Sequence, residues 1–190
     1  LTEARSQYEQ SLKIDKELAA ADKTNASAQR DLSVSYIKLG DIFLQEENLT
    51  EASSQYEQSL KISKELAADD KTNAGAQRDL SVLYERLGNI LLQEENLTDA
   101  RSQYEQSFII RRELAAADKT NAGAQIDLMI SNYNLGKLLM KSEETREAGV
   151  AHFQAGLDIL LKLEKSNQLR PDRKSNIKLL KEQIKKHTKE

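Results

Sequence analysis

The sequence predicts an all-α protein, an α-α superhelix (solenoid) in which antiparallel helix pairs stack in succession and a last helix caps the C-terminal end. Three observations predict it. The phrase LTEARSQYEQSLKIDKELAAADKTNA starts at Leu1 and returns with few changes at Leu49 and Leu97, a period of 48 residues. Such self-similarity marks units that bury their apolar faces only against their neighbours. Within each unit the apolar residues keep helical spacing. Finally, 31% of the 190 residues are charged and 38% apolar, with one proline and seven glycines, a mixture that suits long exposed helices better than sheet or disorder.

Each element follows from this pattern in turn. In LTEASSQYEQSLKISKELAADD, Leu49, Ala52, Tyr56, Ser59, Leu60 and Leu66 recur at steps of three, four or their sums, the spacing of one helical face. This is helix B. Asp-Lys-Thr-Asn follows, and Thr72 or Asn73 is the expected N-cap of helix A, whose Leu80, Tyr84, Leu87 and Leu91 share a face. Glu95 and Asn96 make the short turn back, so neighbouring helices run antiparallel. The pattern predicts helices at 2–21, 25–46, 50–69, 73–94, 98–117, 121–142 and 146–165. After Leu169-Arg170-Pro171-Asp172 breaks the chain, a last helix runs from 172 to 188, with Ile177, Leu180 and Ile184 in one apolar stripe among lysines. That is the pattern of a terminal cap, one face covering the last repeat and one in water. The expected organisation is a single solenoid over 1–190. It comprises a lone helix B at 1–22, repeat units at 23–70, 71–118 and 119–166, and a basic capping helix at 167–190.

The set Tyr36, Leu39, Gly40, Phe43, Ala52, Tyr56, Ser59 resembles the tetratricopeptide repeat signature, and it recurs as Tyr84, Leu87, Gly88, Leu91, Ala100, Tyr104, Ser107. The resemblance is to a bacterial-type variant whose unit is extended from the family's usual length of about 34 residues. The extra residues are most simply two turns added to each helix, which makes each helix about 30 Å long. Lys64 stands where the family has a proline, so helix B is expected to run on to Asp69. The third unit departs from the pattern. Asn132 replaces the ring of Tyr36 and Tyr84, and one residue is inserted in SEETREAG, after which Gly149, Phe153, Gly156 and Leu157 regain phase.

By the same resemblance, helix A lines a concave groove that holds a peptide or protein segment. Carried over position by position, Ile37 and Asp41, Glu85 and Asn89, and Tyr133 and Lys137 point into it. These two columns change in every unit, whereas residues 1–48 and 49–96 differ at only nine of 48 positions. Tyr133 lies off the repeat's core positions and reads either as an interface anchor or as a ring swung inward to compensate for Asn132. The family's clamp for a chaperone's terminal carboxylate is not reproduced, because Ile37 and Glu85 stand where a lysine would be wanted.

Composition narrows the function classes. Cysteine is absent, which removes disulfides and thiolate metal sites and permits a reducing compartment, so a cytoplasmic location is expected. No apolar run approaches the roughly 20 residues of a membrane span. Residues 162–190 carry ten Lys/Arg against four Asp/Glu, and the acidic remainder does not suit a phosphate backbone, so neither nucleic acid nor membrane is the expected partner. His152 and His187, the only histidines, lack partners for catalysis or metal binding, and His152 reads as a helix-surface residue. No glycine-rich phosphate loop occurs. The expectation is a non-enzymatic scaffold without metal or cofactor. Its alternatives are a recruitment or regulatory arm of a larger signalling protein or enzyme, which the mid-repeat start at Leu1 suits, and a structural self-association module. The last rests on Leu12, Ile14 and Leu18 of helix 2–21, which lacks the helix A before it and is expected to pair weakly through its open stripe.

Overall fold

The computed structural model describes residues 2–188. Leu1, Lys189 and Glu190, the ends of the expected first helix unit and cap unit, lie outside the described residues. The chain forms two compact units, Leu1–Glu95 and Asn96–Glu190. Unit 1 contains α1 (Thr2–Ala21), α2 (Ala26–Gln45), α3 (Leu49–Asp69) and α4 (Ala74–Gln93). Unit 2 contains α5 (Leu97–Ala117), α6 (Ala122–Leu139), α7 (Arg146–Lys165), a 3-10 turn (Pro171–Arg173) and α8 (Lys174–His187). Among the described residues there is no strand, and consecutive helices within each unit pack on one another.

Local chemistry fixes the helix ends. At each passage from helix B to helix A the same device is built three times. Asp22 accepts from the backbone N–H and hydroxyl of Thr24 at 2.9 and 2.7 Å, and Asp70 with Thr72 and Asp118 with Thr120 repeat the pair at 2.9 and 2.6 Å. Those bonds, hydroxyl first and backbone second, hold the three carboxyls below their ordinary pKa. Asn25, Asn73 and Asn121, not the threonines, are the N-caps, accepting from the backbone of Ala28, Ala76 and Ala124. Four residues later Gln29, Gln77 and Gln125 reach back to the carbonyls of Ala19, Ala67 and Ala115 that end the previous helix.

The return turns are tighter. Glu47 adopts φ 59°, its N–H bonds to Leu44, and the N–H of Asn48 bonds to Phe43. This is a Schellman closure whose last residue already caps α3. After α6 the inserted residue abolishes that device. The helix ends at Leu139, three residues before the expected 142, and Thr145 closes the link by donating to the Leu139 carbonyl at 2.6 Å.

Pairing of helix A with helix B is a ring laid on a glycine. A Cβ at Gly40 would stand 2.6 Å from the Tyr56 ring, and one at Gly136 would stand 2.7 Å from Phe153. Tyr56 and Phe153 are almost wholly buried in the cores of units 1 and 2. Behind Tyr56 the interface is polar, with Ser33 hydroxyl-bonded to Ser59 (2.7 Å) and Ser63 (2.9 Å). The C-terminal helix does what its stripe predicts, burying Ile177 and Leu180 while its lysines stay exposed. One expectation changes: Leu12 is not on the open side of α1 but packs in the unit 1 core with Leu39 and Phe43, because α2 covers it. Ile14 and Leu18 remain open, each 58% exposed.

Candidate interaction surface

Helices α2 and α4 of unit 1 and α6 of unit 2 carry the six positions that the repeat signature singles out, and their surroundings differ. Ile37 is half-buried and leans on the unit 1 core. Asp41, one turn on, accepts a hydrogen bond from the Tyr56 hydroxyl at 2.6 Å and pairs with the Arg86 guanidinium. Arg86 also lies 5.5 Å over the Tyr56 ring. Burial, then the hydrogen bond and negative charge of Asp41, push the Tyr56 phenol well above its ordinary pKa, with Arg86 opposing. Tyr56 therefore remains a proton donor, and Asp41 is held in place by a residue from each of α3 and α4. Glu85 and Asn89 are half-buried on α4 and each is engaged in a polar or electrostatic interaction.

Tyr133 is not a free-standing ring. It is half-buried, 5.9 Å from the Phe153 ring at a 43° tilt, and lines a small cavity of ≈ 100 Å³ with Met129, Ile130 and, from α8, Leu179 and Leu180. The physical reason is Asn132: the amide that replaces the repeat's tyrosine is itself buried, donating to the Leu128 carbonyl at 3.0 Å and facing His152 Nδ1 at 2.9 Å. His152 is accordingly no surface residue. Its ring meets Phe108 edge-on at 5.4 Å, and burial lowers its pKa. Lys137 is exposed on α6, one turn from Tyr133.

Sequence reasoning passed over residues that tie these helices to their neighbours. Arg86 was visible as the change from Lys38 in the previous unit, and its use could have been inferred from the acid at Asp41. Arg111 was not legible. It is 2% exposed, replaces Ser63, and donates to the Asp127 carbonyl and Ser131 hydroxyl at 3.3 Å each. Two lysines, Lys16 and Lys64, rest over the rings of Tyr36 and Tyr84 at 5.3 and 5.6 Å, but Arg112 turns to Phe108 because Asn132 offers no ring. Among the described residues, no group of three His, Asp or Glu side chains could hold a metal ion, and no helix is long and apolar enough to cross a membrane.

With helix pairs of one design recurring along the sequence, the chain is a helical repeat protein. Residues 34–66, from the middle of α2 to the end of α3, match the tetratricopeptide repeat model. The match falls on the pair in which Tyr56 packs on Gly40. Among solved structures, the fold is similar to that titled BtubC (BKLC) from P. vanneervenii, with a TM-score of 0.67 at 15% identity, over 99% of this chain and 67% of that one. No curated protein matches the sequence.

Proposed function

We propose that this chain is a non-enzymatic scaffold that binds a peptide or protein segment on the surface lined by its helices A. A tetratricopeptide repeat is a protein-interaction motif, and the observation that carries the reading is where the duplicated units diverge. The column Ile37/Glu85/Tyr133 changes from apolar to acidic to aromatic at positions that stay partly open, and its first change falls between two stretches, 1–48 and 49–96, that differ at only nine of 48 positions. Asp41, Asn89 and Lys137 flank that column. The test is capture of a partner by the full chain, followed by affinity measurements on variants. Tyr133→Ala should cost on the order of 2 kcal/mol of affinity. Lys137→Glu and Glu85→Lys should act mainly on association rate and salt dependence. Unchanged affinity in all three would place binding elsewhere.

A second reading is favoured by α1, whose Ile14 and Leu18 are the most exposed large apolar residues described. We propose weak self-association there. Ile14→Lys with Leu18→Lys should abolish any concentration-dependent rise in sedimentation mass, and a chain that stays monomeric at millimolar concentration would remove this reading.

A further inference from the structure

Each unit contains a cleft floored by helix A and walled by the two helices B that flank it. In unit 1 it lies between α1 and α3 over α2, ≈ 620 Å³, and in unit 2 between α5 and α7 over α6, ≈ 370 Å³. These are volumes in the range of peptide and ligand sites. The two clefts are built from equivalent residues. Lys16 and Lys23 on the first wall become Arg112 and Lys119, and Leu32 and Ile62 at the apolar base become Leu128 and Ile159, the last only after the inserted residue restores phase.

They differ in the charge of the second wall. In unit 1, α3 presents Glu65 and Asp69 opposite the lysines, and the rim is mixed. In unit 2 the same positions are Lys162 and Ser166, so every charged residue lining that cleft is a cation. Arg112, Lys119 and Lys162 are exposed, and none has a carboxylate at ion-pair distance among the described residues. The nearest candidate in sequence to Lys119, Asp118, is already used by Thr120. The neutral polar lining is spent as well, Gln125 on the Ala115 carbonyl and Gln168 on the Thr120 carbonyl. What is left to a visitor is an apolar base inside a ring of three positive charges, of which Arg112 also lies over the Phe108 ring.

We infer that the unit 2 cleft docks an acidic peptide segment in which carboxylates alternate with aliphatic side chains, the carboxylates meeting Arg112, Lys119 and Lys162 and the aliphatic groups covering Leu128 and Ile159. Charge complementarity selects the acid. The apolar base selects peptide over nucleic acid, because a phosphate backbone needs a continuous track of cations and gains nothing from aliphatic contact. This cleft includes neither Tyr133 nor Lys137 of the proposed helix A surface, so either site can fail alone.

The probe is a fluorescein-labelled octapeptide of alternating leucine and glutamate, titrated by anisotropy against the full chain, with a leucine-serine octapeptide and an oligothymidylate of equal charge as controls. Expected is a single site that weakens as salt rises and at least a tenfold loss of affinity in Arg112→Glu with Lys162→Glu. The converse variant, Glu65→Lys with Asp69→Ser, should raise the stoichiometry from one peptide to two by giving the unit 1 cleft the same rim. Because all the mutated positions are exposed, helical circular dichroism should be unchanged in both variants. The inference is overturned by any of four results: no binding to the native chain, affinity indifferent to Arg112→Glu with Lys162→Glu, stoichiometry that remains one in the converse variant, or oligothymidylate binding as tightly as the acidic peptide.

Discussion

The α2–α3 pair of unit 1 and the α6–α7 pair of unit 2 hold the same place in the repeat but are fastened by different chemistry. In the first, Tyr56 lies on Gly40 with its hydroxyl tied to Asp41 and Arg86, backed by hydroxyl bonds among Ser33, Ser59 and Ser63. In the second, Phe153 lies on Gly136 without a hydroxyl, and the three serine positions are Met129, Gly156 and Leu160, all buried. Ala52 has become Gly149, whose missing Cβ lets the helices meet so closely that one built there would stand 3.0 Å from the Gly136 carbonyl. One contact geometry is therefore met either by a polar network or by apolar close packing, and removing one member of the network would leave a further buried group without a partner. The replacement of Asp41 by Lys137 has a structural account in this comparison: once the ring lacks a phenol, no acceptor is required beside it.

The largest expected effect strips both pairs of their ring. Tyr56→Ala and Phe153→Ala should each cost about 3–5 kcal/mol in urea denaturation, and a loss below about 1 kcal/mol in either would break the claim that ring on glycine holds the pair. Next, filling the glycine should cost about 1–3 kcal/mol. Gly136→Ala should be the worse of the two, since its new methyl meets the Gly149 carbonyl at 3.0 Å as well as a ring, whereas the three nearest atoms at Gly40 all belong to the Tyr56 ring.

Smaller and more discriminating is Tyr56→Phe, about 1.5–2 kcal/mol for a buried hydrogen bond to a charged acceptor. It carries a pH signature of definite sign. Because the folded phenol's pKa is raised, the folded state keeps a proton that the unfolded chain gives up above about pH 10, so this contribution is complete below that pH and stability falls as pH rises beyond it. Tyr56→Phe should flatten that alkaline decline, and unit 2 should show no counterpart at Phe153. The smallest effects test what the two units share. Asn73→Ala and Asn121→Ala should cost about 1 kcal/mol each, alike in both units. Carboxyl titration by NMR should place Asp70 and Asp118 together below ordinary aspartates, so that what they add to stability is present above the unfolded aspartate pKa and lost as pH falls through the lowered folded value.

Residue order alone was enough to read the repeat, seven helices to within three residues at either end, the cap stripe of Ile177 and Leu180, and the rings and glycines of the helix pair. These depend on local propensity, capping chemistry and a period repeated three times, all of which act over a few residues. Helix 122–139 ended early because an insertion replaced an αL closure with a threonine bridge, a change of turn chemistry that periodicity does not register. The environment of each polar or open position came instead from packing between helices. Asp41 was legible as a position that varies between repeats, but its engagement by Tyr56 and Arg86 brings together three helices. Leu12 is covered by α2, Tyr133 leans on Phe153 and α8, and Arg111 is buried where a serine stood. The cationic rim of Arg112, Lys119 and Lys162 likewise joins residues up to 50 positions apart. Burial and charge pairing are sums over neighbours brought together by packing, and helical spacing within one element says which side a residue faces without saying what it meets there.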